Sequence, residues 1–207
     1  LKRKSESAFA ADSGRNNGES LSDSLMDLRQ LIINEVHVLG SADSYSEEDR
    51  LKIEVAIDVL SALAKSDSAV TLIVDCGAVP VLVKHLRAPS CGDDEERSPR
   101  PYELEIEKRS AFTLGLLAMK PEYQQLIVDS GALPHLVNLL KRRSSCPPCS
   151  RAVNGVIRGA ANAIGSLARE NSRIKSAIRV AGGIPPLLDL LEFDDPMVQK
   201  SAAGALR

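Results

Sequence analysis

Apolar residues recur along this chain at the three- and four-residue spacing of helices, and the same pattern returns several times. Three segments align without gaps: GAVPVLVKHL from Gly77, GALPHLVNLL from Gly131 and GGIPPLLDLL from Gly182. A second set aligns as well: AIDVLSALA from Ala56, SAFTLGLLA from Ser110, AANAIGSLA from Ala160 and SAAGALR from Ser201. Glycine favours a helix end and proline the next start, so each unit predicts a short helix, a glycine turn, a second helix and a long Ala/Leu helix.

The spacing of equivalent positions gives the repeat length. The steps from Asp58 to Phe112, to Asn162 and to Gly204 are 54, 50 and 42 residues. The last step is typical of three-helix units of ~40–47 residues. The longer steps predict expanded loops at 88–101 and 142–150, where Ser, Pro and charged residues are frequent. We therefore predict about three and a half repeats over 50–207, with the last one truncated.

The N-terminal part of the chain has a different pattern. Residues 1–20 are rich in Ser, Asn and Gly, which predicts a disordered tail. The basic triplet at 2–4 fits either a solvated tail or half of a nuclear localisation signal. An apolar stripe follows at helical spacing, on Leu21, Leu25, Leu28, Ile32, Val36 and Leu39. It is too short for a coiled-coil dimer, so 21–49 is predicted to hold a capping helix and a linker.

Three longer strings cover most of 50–207: LGLLAMKPEYQQLIVDSGALPHLVNLLKR, SRAVNGVIRGAANAIGSLARENSRIK and VAGGIPPLLDLLEFDDPMVQKSAAGALR. The repeats resemble armadillo repeats, and these strings resemble the plant-type proteins that join armadillo repeats to a C-terminal BTB domain. The resemblance implies an all-α, right-handed armadillo (ARM) repeat solenoid with an N-terminal capping helix. It also implies a nuclear adaptor, with the cytoplasm left open, whose armadillo region captures partners such as transcription factors. The BTB domain of the parent protein would dimerise or recruit a cullin-type ubiquitin ligase.

Composition and charge exclude several classes of function. The chain is 43% hydrophobic and 26% charged with a net charge of −2, which argues against wholesale disorder and gives no overall bias towards nucleic acid or anionic membrane. No apolar run approaches the ~20 residues that span a bilayer. A basic cluster, Lys141-Arg142-Arg143 with Arg151, fits either a nucleic-acid contact or a solvated helix end that the helix dipole favours. We favour the helix end and expect no direct nucleic-acid partner.

Residues with catalytic or metal-binding chemistry are few and scattered. The histidines are His37, His85 and His135, and no Ser/His/Asp or Cys/His set is suggested by local spacing. Cys146 and Cys149 have the CxxC spacing, but no second ligand pair completes a zinc site. We therefore predict free thiols and no enzyme activity, cofactor, metal or small-molecule substrate.

The armadillo resemblance implies that the third, long helices line a concave groove about 10 Å apart. Nuclear-import adaptors of this fold hold basic peptides with Trp and Asn ladders. Those positions here are Asp58, Phe112, Asn162 and Gly204, and Ala62, Leu116 and Ser166, so both ladders are missing. One turn earlier the column is Glu54, Lys108, Arg158 and Lys200, so we expect the groove to carry three aligned cations.

We predict that the groove binds acidic or amphipathic protein segments, as the catenin type of groove does. The predicted contact residues are Lys108, Phe112, Leu116, Arg158, Asn162, Ser166 and Lys200. Two alternatives remain open. The chain would instead be a nuclear transport receptor that carries cargo peptides, or these residues would be ordinary polar ends of helices in a structural spacer.

Overall fold

The computed structural model describes residues 15–41, 46–87, 101–142 and 147–207, and the regular structure in these ranges is helical. The helices are α1 (Arg15–Ser41), α2 (Glu47–Leu63), α3 (Asp67–Asp75), α4 (Ala78–Lys84), α5 (Pro101–Leu117), α6 (Pro121–Asp129), α7 (Ala132–Leu140), α8 (Pro147–Ala168), α9 (Ser172–Val180), α10 (Ile184–Asp189) and α11 (Pro196–Ala205). A 3-10 turn at Leu190–Glu192 follows α10. The long helices pack in sequence, α2 on α5, α5 on α8 and α8 on α11.

A left-handed glycine separates the first and second helices of each predicted unit. The φ angles of Gly77, Gly131 and Gly182 are 81°, 85° and 75°. A side chain would strain this backbone conformation, which explains why glycine returns at the same place in all three units. The predicted order of short helix, glycine turn, second helix and long helix is therefore found three times.

The first helix covers the N-terminal end of the core. Ile32 and Leu39 are completely buried, while Leu25 on the same stripe is half exposed. Nε2 of His85, at the end of α4, lies 2.9 Å from the carbonyl oxygen of Leu39 and ties α1 to the repeats. The helix starts at Arg15, inside the stretch that we expected to be a tail. Extending a formed helix adds one hydrogen bond for each residue fixed, so polar residues join it.

Two other boundaries differ from the sequence prediction. Helix α2 starts at Glu47 rather than after 49, because Oγ of Ser46 accepts a hydrogen bond of 3.1 Å from the backbone N–H of Asp49 and caps the helix. Helix α8 starts at Pro147, so 147–150 are helical and not loop, and Pro101 likewise opens α5. Proline suits the first helical position, where its missing N–H costs nothing. The tail at 1–14, with its basic triplet, and the loop residues 88–100 and 143–146 lie outside the described residues.

Candidate partner-binding groove

The long helices approach one another closely because small residues lie between them. A Cβ atom on Gly115 would lie 3.2 Å from Cα of Ala163, which joins α5 to α8. A Cβ atom on Gly165 would lie 3.3 Å from Cα of Ala205, which joins α8 to α11. These contacts bring α5 against α8 and α8 against α11.

The apolar and amide residues predicted for the groove are accessible on α5 and α8. Phe112 is 42% exposed and Asn162, its repeat equivalent, is also exposed. Leu116 and Ser166 follow one turn later and are half-buried. The hydroxyl of Ser166 donates to Sδ of Met119 at 3.7 Å, which brings the ends of the two helices together. These residues supply an apolar surface with polar groups beside it.

Lys108 is not a free cation, contrary to our expectation of three aligned positive charges. Its Nζ lies 2.6 Å from Oε2 of Glu105, and Nε of Arg109 lies 2.7 Å from Oε1 of the same carboxylate. Arg109 also pairs with Asp58 of α2. Four charges of alternating sign thus form a chain across α2 and α5. Burial raises the pKa of Glu105, but hydrogen bonds from Lys108 and Arg109 outweigh burial and hold that pKa below its ordinary value.

The other two predicted cations lie on α8 and α11. Arg158 is half-buried and near Asp195, the N-cap of α11, while Lys200 is exposed. Asp195 accepts hydrogen bonds of 2.8 Å from the backbone N–H of Met197 and 2.9 Å from Nδ2 of Asn154. The bond from Met197 and, less strongly, the charge of Arg158 hold the pKa of Asp195 below its ordinary value. Arg158 is therefore partly balanced, and Lys200 presents its charge to solvent.

The basic cluster after α7 has a structural role that we did not predict. Nη2 of Arg142 donates a hydrogen bond of 2.5 Å to Oε1 of Glu107, whose side chain is completely buried in α5. Our reading of the cluster as a solvated helix end is wrong for Arg142. The sequence did carry a signal that Glu107 would be buried: the equivalent residues of the neighbouring repeats are Ile53 and Ile157, and both are buried.

A buried glutamine is a second residue that sequence reasoning missed. Nε2 of Gln124 in α6 donates to the carbonyl oxygens of Ala118 at 3.3 Å and Ser166 at 3.1 Å. Its Oε1 accepts a bond of 3.1 Å from Nδ2 of Asn171, the N-cap of α9. One side chain therefore joins the ends of α5 and α8 to the start of the next repeat.

The histidines and cysteines form no catalytic or metal site in the described ranges. His85 is buried and its pKa is lowered, chiefly by burial, whereas His37 is exposed on α1. Cys76 is a half-buried free thiol; Cys91 and Cys146 fall outside the described residues. Within those residues no three His, Cys, Asp or Glu side chains are grouped as a metal would require. No described helix has both the length and the apolar character needed to cross a bilayer.

Known proteins with similar sequence carry the same kind of repeat. The Armadillo/beta-catenin-like repeat family matches residues 120–151 and 171–207. "ARM repeat protein interacting with ABF2" of Arabidopsis thaliana is 55% identical over 198 residues, which are 96% of this chain and 28% of that protein. "Armadillo BTB Arabidopsis protein 1", also of Arabidopsis thaliana, is 46% identical over 185 residues, 88% of this chain and 24% of that protein. The chain thus spans about a quarter of the length of these relatives.

A solved structure shows the same architecture. A crystal structure of computationally designed armadillo repeat proteins for modular peptide recognition superposes with a TM-score of 0.63 and 25% sequence identity. The match covers 91% of this chain and 75% of the designed one. Together with the order of the helices, this similarity confirms the predicted all-α repeat solenoid.

Proposed function

This chain is an armadillo-repeat protein, and from that premise we propose that it captures protein partners in the groove formed by α2, α5, α8 and α11. The observation that carries this proposal is the accessible apolar surface of Phe112 and Leu116 on α5, next to the cations Arg158 and Lys200 on the following long helices. Apolar contact supplies affinity that solvent-exposed ion pairs, at about 0–1 kcal/mol each, do not. Asn162 and Ser166 on α8 add hydrogen-bonding groups beside this apolar surface and these cations.

We propose further that the chain is the partner-binding part of a nuclear adaptor. One relative is named for its interaction with ABF2 and the other for its armadillo and BTB content, and both names support this role. The armadillo region would bind partners such as transcription factors. A BTB domain in the parent protein would link them to a cullin-type ubiquitin ligase or to transcription regulation. The chain itself acts by binding, without catalysis.

Affinity capture with paired variants tests the groove assignment. The groove variant carries Arg158→Glu and Lys200→Glu. The matched control carries Arg173→Glu and Lys175→Glu, two exposed cations of the short helix α9. Both variants change the net charge equally, and thermal unfolding followed by circular dichroism checks that both fold.

We expect the wild-type chain and the control to retain the same captured proteins and the groove variant to lose them. The groove assignment fails if the groove variant retains the partners while the control loses them. It fails as well if both folded variants retain them.

A further inference from the structure

The charge of the long helices changes sign from one end of the groove to the other. Helix α2 carries Glu54 and Asp58 at groove positions, which we call the acidic end. Helices α8 and α11 carry Arg158 and Lys200, which we call the basic end. Glu54, Arg158 and Lys200 occupy one equivalent position of the repeat, and Asp58 occupies the position one turn later. All four therefore lie on corresponding faces of their helices.

The middle of the groove is apolar because the charges of α5 bind one another. Glu105 contacts both Lys108 and Arg109, and Arg109 reaches Asp58. Asp58 nevertheless keeps 58% of its side chain exposed, so its carboxylate also faces solvent. The exposed apolar residue in the described part of α5 is Phe112, with the half-buried Leu116 one turn further on.

Adjacent packed helices lie about 8–10 Å apart, and an extended segment advances about 3.3 Å per residue. One step from helix to helix therefore corresponds to about two to three residues of a bound segment. We propose, on the basis of the proposed function, that the groove selects an extended segment with a basic residue, an apolar residue and acidic residues that follow one another at successive helix-to-helix steps. The basic residue faces the acidic end, the apolar residue faces Phe112, and the acidic residues face the basic end.

Charge complementarity separates this occupant from simpler ones. A uniformly acidic segment would bring a like charge against Glu54 and Asp58, and a uniformly basic segment would do so against Arg158 and Lys200. Like charges across an interface oppose binding and exclude wrong partners. A segment of mixed charge in the opposite order meets both penalties at once.

Synthetic peptides test the selection directly. The matched peptide carries Lys, Phe, Glu and Glu at every third position, with Gly and Ser between them. A second peptide has the same residues in reversed order, because the chain direction of the occupant is open. A third replaces Lys with Glu, and a fourth scrambles the charges. Binding to the whole 207-residue chain is measured by fluorescence anisotropy at low and moderate salt.

We expect one of the two ordered peptides to bind at least fivefold more tightly than the all-acidic and the scrambled peptide. The variant Asp58→Lys should reverse the preference, so that the all-acidic peptide binds better than the ordered one. Asp58→Asn, which keeps the shape of the side chain, should remove most of the difference without reversing it. The Asp58→Asn variant still tests the role of Asp58 if Asp58→Lys does not fold.

Equal binding of the all-acidic and the ordered peptides, unchanged by either Asp58 variant, would overturn this inference and leave the proposed function standing. Failure of every ordered peptide to exceed the scrambled one would overturn it as well. The proposed function fails on a separate result, namely retention of natural partners by the folded Arg158→Glu, Lys200→Glu variant.

Discussion

Arg142, just after α7, holds the buried carboxylate of Glu107 in α5 with a hydrogen bond of 2.5 Å. The carboxylate is completely inaccessible, whereas the arginine keeps 29% of its side chain exposed. Removing one partner of such a pair destabilises the fold, because the remaining buried charge has neither water nor an opposite charge beside it. The pair joins the second helix of one repeat to a long helix that precedes it in the chain.

Removing the arginine should destabilise the protein more than removing both partners. Loss of one partner of a buried pair costs about 3–5 kcal/mol, and because Arg142 keeps 29% of its side chain exposed we expect about 2–3 kcal/mol for Arg142→Met. Combining it with Glu107→Ile should recover most of that loss, since isoleucine occupies the equivalent positions 53 and 157. Urea unfolding of both variants measures the difference. Equal stability of Arg142→Met and the wild type would contradict the role of this pair.

Alanine substitutions of two glycines on the long helices should differ in their effect on stability, because one new Cβ atom meets backbone and the other meets a flexible side chain. A Cβ atom at 115 meets the backbone of Ala163, whereas one at 155 meets the flexible side chain of Lys108 at 2.9 Å. Alanine gains about 1 kcal/mol over glycine inside a helix, and overpacking costs about 1–3 kcal/mol. We expect Gly155→Ala to be neutral or slightly stabilising and Gly115→Ala to lose about 1 kcal/mol. Thermal unfolding compares them, and the opposite ranking would show that α5 and α8 can separate freely.

A basic nuclear-localisation peptide should bind no better than its scrambled version. The aromatic and amide ladders that would hold lysine stems and the peptide backbone are replaced by Asp58, Phe112 and Asn162 in one column. Arg158 and Lys200 add like charge. Fluorescence anisotropy measures both peptides under the same conditions. Saturable, sequence-dependent binding of the basic peptide would favour the transport receptor instead.

Acid should lower the free energy of unfolding through His85. Burial lowers the pKa of His85 in the folded chain by more than the hydrogen bond with the carbonyl oxygen of Leu39 raises it, so the unfolded chain binds the proton more readily than the folded one. This contribution to stability is complete above the unfolded pKa of about 6.5 and is lost as the pH falls towards the folded value. His85→Asn should flatten the pH dependence of the unfolding free energy between about pH 7 and 5, where carboxylates remain ionised.

His135 is the matched control for that titration. Its pKa is also lowered, chiefly by burial, but it is less deeply buried than His85. His135→Asn should therefore leave most of the pH dependence in place. If that variant flattens the dependence and His85→Asn does not, the buried side chain of His85 is not the group that titrates.

The repeat architecture could be predicted because its signals are local. Gly77, Gly131 and Gly182 mark a backbone conformation that other residues adopt at a cost, and the apolar spacing around them fixes the helices. Pro147 suggests a loop by its composition but is the first residue of α8, so the loop predicted at 142–150 extends too far. Proline is common in both places, and the residues after it decide which applies.

The charges of the groove were harder to predict, and for two different reasons. Asp58 and Arg109 meet only when α2 and α5 pack, which nothing local in the sequence shows. Glu105 stands three residues before Lys108 on the same helix, so this second pair could have been predicted, but a comparison of equivalent repeat positions alone leaves Lys108 as a free cation. Glu107 could have been found from its register with Ile53 and Ile157. Its partner Arg142 could not, because nothing in the sequence fixes where the end of α7 comes to lie.

The hydrogen bonds of Gln124 have a consequence for the way the solenoid comes apart. The free energy of a repeat array is close to a sum of units and neighbouring interfaces, so arrays open from their ends one unit at a time. The amide of Gln124 spans the interface between the unit of α6–α8 and the unit of α9–α11. If α9 detaches, Oε1 of Gln124 loses the hydrogen bond from Asn171. An unpaired buried amide costs about 1–3 kcal/mol, which discourages fraying at this boundary. Hydrogen exchange should therefore find α6 through α9 opening together, as one cooperative block.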